Sequence, residues 1–286
     1  MDRRNFILAT GGAAVVTALS GRAAVRSAQA LKANDVVYLG PDKIRLSRLA
    51  MGTGTVGGSL QRKLGVDGLA DYLRYGTDQG VIFWDTADAY KTHPSVKEAL
   101  KSVPREKIAI MTKTRARTSA AMKADLDRFR RETGSDYFDL LLLHTVTSPT
   151  WPQEMAGVMD VLAEAREKGI VRTHGLSCHS LSALYTAVKT PWARVVLARI
   201  NPAEAKMDAD PDTVLSVLRD LKQAGKGVIG MKILGEGDLR GQVDSALRFA
   251  LSQDCIDCFT IGAADRNELT DLIKRIPAAS QTAKAA

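Results

Sequence analysis

Four side chains in this sequence have the types and spacing of an acid–base device: Asp85, Tyr90, Lys113 and His144. A tyrosine ordinarily ionises at about pH 10, and an ammonium at hydrogen-bonding distance lowers that value by stabilising the phenolate. Lys113, in Met111-Thr112-Lys113-Thr114, would supply the ammonium. Asp85 would hold it charged and oriented, because an unpaired buried ammonium tends to lose its proton. His144, closing the run Leu140-Leu141-Leu142-Leu143, is placed to donate a hydrogen bond to a substrate oxygen. The chemistry such a set suits is proton transfer to or from the oxygen of a carbonyl that gains or loses hydride. Singly, a strand-end aspartate is more often a helix cap and a lone histidine merely hydrogen-bonded; the combination on three consecutive strands is what points to catalysis.

Those strands belong to a regular alternation. Short apolar runs expected as strands cover Arg48 to Gly54, Val81 to Asp85, Ile108 to Thr112, Asp139 to His144, Thr173 to Ser177, Val195 to Ile200, Val228 to Leu234 and Cys258 to Ile261. Between them lie amphipathic segments expected as helices: Gly68 to Asp78, Ser95 to Ser102, Ser119 to Thr133, Gln153 to Lys168, Leu181 to Lys189, Pro211 to Ala224, Gly241 to Gln253 and Asp265 to Ile276. Near-continuous apolar strands separated by helices argue for a parallel sheet buried on both faces. Eight such pairs in 286 residues fit one α/β fold, a (β/α)8 TIM barrel of about 250 residues. Ser119 and Asp210-Pro211 read as helix starts, and Gly134, Gly169 and Gly225 as helix stops. Tyr38 to Leu46 reads as a hairpin with a Gly-Pro-Asp turn, expected to plug the barrel's bottom, while the Ala-rich tail after Pro277 is expected to be loose. The alternative open doubly wound sheet lacks a GxGxxG turn at its first helix.

The first thirty residues read as an address. Arg3-Arg4-Asn5-Phe6-Ile7 precedes a Gly- and Ala-rich apolar run from Ala9 to Leu19, and Ala28-Gln29-Ala30 offers a small-residue cleavage site. The pattern resembles a twin-arginine (Tat) export signal, cleaved after Ala30 to leave a mature domain over residues 31–286. It implies passage through the Tat translocase to the periplasm, with no stable membrane anchor afterwards. The formal charge is +8, of which four arginines against Asp2 in this segment account for +3. The remaining excess is interspersed with acidic residues, which argues against nucleic acid. Three cysteines are too few for a disulfide scaffold, and the lone Cys255-x-x-Cys258 lacks further ligands for zinc, so both are expected as core strand residues and no metal is expected. Cys178 beside His179 invites a thiol nucleophile, but neighbouring strand residues face opposite ways. His93 is expected as a surface loop residue, and Trp151 in the barrel's flank or an apolar pocket wall.

Asp85-Thr-Ala-x-x-Tyr90, Thr112-Lys113-Thr114 and the leucine run into His144 resemble the aldo-keto reductase family over nearly all of the mature chain. Arg48-Leu-Ala-Met-Gly-Thr-Gly, Lys168-Gly-Ile-Val-Arg-x-x-Gly-Leu-Ser and Arg199-Ile-Asn201 extend the likeness. The resemblance implies an NAD(P)H-dependent oxidoreductase that interconverts a small-molecule carbonyl and its alcohol. Tyr90 would act as general acid or base, tuned by Lys113 and Asp85, with His144 orienting the substrate. NADP(H) is the usual cofactor and NAD(H) the alternative, held by Gly52, Thr53, Ser177, Cys178, Asn201, Met231, Lys232, Leu234, Gly262 and Arg266.

This chain departs from that pattern at several points. Lys91-Thr92-His93-Pro94 replaces the usual residues after the tyrosine, and Cys178 stands where an Asn often touches the nicotinamide amide. Gly230-Met231-Lys232 stands where an aromatic often stacks on the ring, with Lys232 expected to meet the pyrophosphate instead. Arg266 is left to grip a 2′-phosphate beside Asp265 and Glu268, which repel one, so the choice of coenzyme stays open. Specificity is expected from the loops Lys91 to Ser95, Thr145 to Pro152, Ala203 to Asp210 and Glu236 to Arg240. A monomer is expected. The second reading is an exported barrel without redox turnover, serving as a binding or accessory protein.

Overall fold

The computed structural model describes residues 30–283. Except for Ala30, the expected export signal lies outside them. The described residues begin with an antiparallel hairpin, β1 (Val36–Leu39) and β2 (Ile44–Ser47), and then close eight parallel strands into a barrel. These are β3 (Leu49–Gly52), β4 (Phe83–Asp85), β5 (Ala109–Thr114), β6 (Phe138–Val146), β7 (Val171–Cys178), β8 (Val195–Arg199), β9 (Gly227–Met231) and β10 (Cys258–Ile261). Their order around the barrel is that of the sequence, with β10 pairing back onto β3. The expected (β/α)8 TIM barrel with an N-terminal hairpin is the observed fold.

Helices follow the strands. They are α1 (Ser59–Arg62), α2 (Gly65–Asp78), α3 (His93–Leu100), α4 (Ser119–Thr133), α5 (Trp151–Glu154), α6 (Ala156–Glu167), α7 (Leu181–Lys189), α8 (Pro211–Gln223), α9 (Val243–Ser252) and α10 (Arg266–Ala283). Among the described residues no helix is long and apolar enough to cross a membrane. Asp210 caps α8 by accepting from Thr213 N, with Pro211 at the first helical position, as expected. The cap of α4 is Thr118 rather than Ser119, whose hydroxyl donates instead to Gly157 O. Gly134, Gly169 and Gly225 all adopt left-handed φ at helix ends. The single helix expected over Gln153 to Lys168 is broken at Met155 into α5 and α6.

Strand alternation divides the core in two. Leu140 and Leu142 point into the barrel with Phe83, Met111, Leu197 and Ile229, while Leu141 and Leu143 point outward against the helices. Leu39, Ile44 and Leu46 of the hairpin join the inner cluster. They enter from the strands' N-terminal ends, where Gly40 abuts Arg194 O and Gly227 N. In the hairpin turn, Asp42 binds Arg166 at 2.6 Å, Thr173 at 2.7 Å and Arg194. The hairpin is thus a bolted plug in the barrel floor.

Two expectations are corrected here. The tail beyond Pro277 is not loose: α10 runs on to Ala283, with Ile276 and Ala279 buried and Ser280 Oγ accepting from Leu31 N at 2.8 Å. Burial of that face outweighs the hydrogen bond that a proline forfeits inside a helix. Nor is His93 a surface residue: it begins α3, is 2% exposed and lies edge-on to Phe129.

Candidate active site

Because inward residues recur every second position, the last inward side chains of the strands gather at the C-terminal mouth. Asp85 follows Phe83 on β4, Lys113 follows Met111 on β5, and His144 follows Leu142 on β6. Ser177 and Thr260 occupy the corresponding phase on β7 and β10. β5 extends to Thr114, so Lys113 lies within the strand, and its side chain is fully buried.

The structure brings the four candidate catalytic residues together. Lys113 Nζ ion-pairs with Asp85 Oδ1, donates to Thr86 O at 3.0 Å and reaches Tyr90 Oη at 3.5 Å. Asp85 Oδ2 accepts from the Thr260 hydroxyl at 2.8 Å. The His144 and Tyr90 rings meet edge-on with centroids 5.4 Å apart. Gly54 also lies against Tyr90, so closely that a Cβ there would collide with the ring.

Tyr90 ends a single 3-10 turn, Asp88–Tyr90, which two arginines hold and a threonine cluster flanks. Arg62 Nη1 donates to Tyr90 O at 2.7 Å, and Arg128 Nη1 to Asp88 at 2.7 Å. The Thr92 hydroxyl bonds those of Thr53 at 2.8 Å and Thr86 at 2.7 Å. His93, just beyond, links Glu132 at 2.8 Å to the Thr112 hydroxyl at 2.9 Å, next to Lys113. These braces were not singled out from sequence, because nothing in residue type or spacing shows which loop side chain meets which. Thr260 carried a usable signal, the inward phase of β10.

Burial pushes the Tyr90 phenol above its ordinary value, and the Lys113 charge only partly offsets it. This corrects the expectation that the ammonium lowers the phenol below its ordinary value: desolvation of the phenolate outweighs one ammonium. Burial also opposes the charge on Lys113, but Asp85 and Tyr90 outweigh it and hold the ammonium protonated. Burial, with the charges of Lys113 and Arg115, drives His144 down to about 2, so its imidazole is neutral at physiological pH. The site therefore holds a protonated phenol and a neutral imidazole, the states in which both can donate to an oxygen.

The residues expected to hold a coenzyme divide. The Ser177 hydroxyl and His144 Nδ1 are buried without a hydrogen-bond partner, polar atoms that a carboxamide or substrate oxygen at the mouth would satisfy. Gly52 and Gly262 form a tight junction in which a Cβ would strike Thr260 or Thr55 respectively. Thr53 donates to Asp85 O at 2.9 Å, and Met231 lines the barrel interior. Leu234 packs against the outer core.

Cys178 is a correction: it faces the outer core rather than the mouth, and burial pushes its thiol up. His179 follows the end of β7, where burial and the charges of Arg199, Lys232 and Lys113 push its imidazole down. Asn201 is also corrected, because its carboxamide is consumed locally. It accepts from Ala203 N and Ala205 N at 3.1 Å each and donates to Ala205 O at 2.8 Å and Lys232 O at 3.1 Å. Lys232 pairs with Glu236 at 2.8 Å, and Arg266 turns to Asp71 and the Tyr75 ring.

The model of the Aldo/keto reductase family matches residues 48–255, which contain the whole Asp85, Tyr90, Lys113 and His144 set. The chain belongs to that family. This aldo-keto reductase is 30% identical over 184 residues to the Glycine max protein named "Probable aldo-keto reductase 1", covering 55% of this chain and 51% of that one. It is 25% identical over 168 residues to the NADH-specific methylglyoxal reductase of Escherichia coli strain K12, covering 49% and 50%. The chain thus spans about half the length of the curated relatives it matches. Among solved structures, the holo form of aldo-keto reductase AKR11C1 from Bacillus halodurans superposes with a TM-score of 0.69 at 16% identity, over 87% of this chain and 94% of that one. This likeness confirms the barrel.

Proposed function

We propose that this aldo-keto reductase reduces a small aldehyde or ketone with NAD(P)H, with Tyr90 as the general acid. The observation that carries the reading is the chain from buried Asp85 through buried Lys113 to half-buried Tyr90 at the mouth, with neutral His144 against the same phenol. The coenzyme supplies hydride to the carbonyl carbon. Tyr90 delivers a proton to the carbonyl oxygen, a transfer worth about 10²- to 10⁴-fold in rate. Lys113 stabilises the phenolate left behind, Asp85 keeps Lys113 charged, and His144 donates a hydrogen bond that orients the oxygen. Ser177 is the residue best placed to hold the nicotinamide carboxamide.

NADH is the favoured coenzyme in this reading. At the start of α10, where the family resemblance puts a 2′-phosphate, Asp265 accepts from Asn267 N at 2.8 Å and Glu268 N at 3.0 Å. Glu268 accepts from Ala264 N at 2.7 Å. Two carboxylates already satisfy the amides that would welcome a phosphate, and Arg266 points to α2. The E. coli relative is named NADH-specific. Export by the Tat route, supported by Arg3-Arg4 and Ala28-Gln29-Ala30 in the sequence, completes the proposal, with a monomer as the expected state.

The test is a fluorescence titration of NADH and NADPH into the protein, followed by turnover on a panel of small aldehydes, ketones and dicarbonyls. Saturable binding tighter for NADH, with Tyr90→Phe retaining binding while losing turnover, is the expected result. Failure to bind either coenzyme would overturn the reading and leave the barrel an accessory protein.

A further inference from the structure

Glu236 joins two loops across the barrel mouth. Its Oε1 accepts from Val56 N at 3.1 Å, in the loop after β3, and pairs with Lys232 Nζ at 2.8 Å, in the loop after β9. Since β10 lies between β9 and β3, the link passes over the end of the strand that carries Thr260. All three residues adopt left-handed φ without being glycine: Val56 at 50°, Lys232 at 60° and Glu236 at 61°. That region is unfavourable for a side chain, most of all a β-branched one, and such strain collects where a ligand is clamped. Lys232 is held in it by Asn201 Nδ2 at 3.1 Å and Gly235 N at 2.8 Å, both donating to its carbonyl.

A lysine ammonium and a backbone N–H converging on one oxygen form an anion site. In barrels of this architecture phosphate groups are commonly bound by the loops after the seventh and eighth strands, here β9 and β10. The Glu236 charge also reaches the reaction centre, where it raises the Tyr90 phenol, and Lys232 acts on His179. We propose that Glu236 is an internal stand-in for a phosphate: its carboxylate oxygen holds, between Lys232 Nζ and Val56 N–H, the position that a phosphate oxygen of the coenzyme takes on binding. The inference rests on the coenzyme reading above and adds to it a self-occupied subsite. Two anions cannot share the same donors, so Glu236 leaves as the coenzyme enters. It is free to do so, lying between Gly235 and Gly237 on a 3-10 turn with its side chain 24% exposed. Affinity for any phosphate ligand is then lowered by the exchange.

Glu236→Gln keeps the shape and the acceptor but removes the charge, leaving Lys232 unneutralised. Calorimetric titration of the full chain with NADH, and separately with inorganic pyrophosphate, should show Glu236→Gln binding both about tenfold more tightly than wild type, the scale of one charge-assisted contact released. Adding Lys232→Met should abolish the gain. Unchanged or weaker binding by Glu236→Gln, with wild type binding NADH, overturns the stand-in role while leaving the coenzyme reading intact. If NADH binds neither protein, the coenzyme reading fails and pyrophosphate decides: tighter binding to Glu236→Gln supports the anion site, and equal binding overturns it.

Discussion

The Thr260 hydroxyl donates to Asp85 Oδ2 at 2.8 Å, so the carboxylate that pairs with Lys113 through one oxygen is fixed through the other by the last strand of the barrel. In the mechanism proposed above, Thr260 is a positioning residue that acts through Asp85. Thr260→Val preserves volume but strands a buried acceptor, which costs about 1–3 kcal/mol. A lower melting temperature and a reduced kcat, with NADH affinity nearly unchanged, are expected, and Thr260→Ser should restore both. A Thr260→Val enzyme with full kcat would remove Thr260 from the positioning of Lys113.

The barrel was legible because its signal is periodic. Leu140 to Leu143 alternate between inner and outer core as a strand buried on both faces must, and the same period puts Asp85, Lys113 and His144 on one rim. Cys178 shows what happens when resemblance is followed against that period: position 177 faces the mouth, so 178 faces the helices. His93 and Asn201 were misplaced for a different reason. A loop side chain's partners come from elements far away in sequence, Glu132 and Thr112 for the one and the Lys232 carbonyl for the other. The direction of the Tyr90 phenol was likewise hidden, because it turns on how much water the closed barrel removes.

Lys113→Met tests the tuning of Tyr90. The folded protein holds the phenol above its ordinary value while Lys113 pulls it down, so removing the ammonium moves it further up. With Tyr90 as the proposed acid and base, reduction would use the protonated phenol and alcohol oxidation the phenolate, so the pH at which oxidation sets in should rise. Asp85→Asn combined with Lys113→Met removes the stranded carboxylate, which itself raises the phenol, and should leave a smaller rise. An oxidation profile that keeps the wild-type pH dependence in both variants would rule out Lys113 as the tuning charge.

The plug has its own pH signature. Burial works to raise Asp42, but its bonds to Arg194, Thr173 and Arg166 hold it down to about 2, below the ordinary 3.8. A depressed carboxyl stabilises the fold above its unfolded value and loses that contribution as pH falls through the folded one, here over about pH 4 to 2. After allowance for solvent screening the contribution is about 1–2 kcal/mol. Asp42→Asn should therefore melt lower than wild type near neutrality, with the gap narrowing as the pH is taken down through this window. A gap that stays constant on acidification would mean that packing of the turn, rather than the charge of Asp42, bolts the hairpin in place.

Gly54 gives a test that separates placement from chemistry. Its Cα faces the Tyr90 ring, and the methyl of an alanine would have to share the space of the ring and its hydroxyl. Gly54 is not in the left-handed region and the atoms an added methyl would meet first are those of the Tyr90 ring, so the ring, rather than the backbone, has to give way. Gly54→Ala should thus displace the phenol from Lys113, and a misplacement of about 1 Å at a reacting group costs on the order of 10²-fold. We expect kcat to fall on that scale, with melting temperature and NADH affinity close to wild type. Gly54→Ala combined with Tyr90→Phe should be no slower than Tyr90→Phe alone, since the displaced group is then already inactive. If the two losses multiply instead, Gly54 serves substrate or coenzyme through contacts of its own, and the close approach to Tyr90 is incidental.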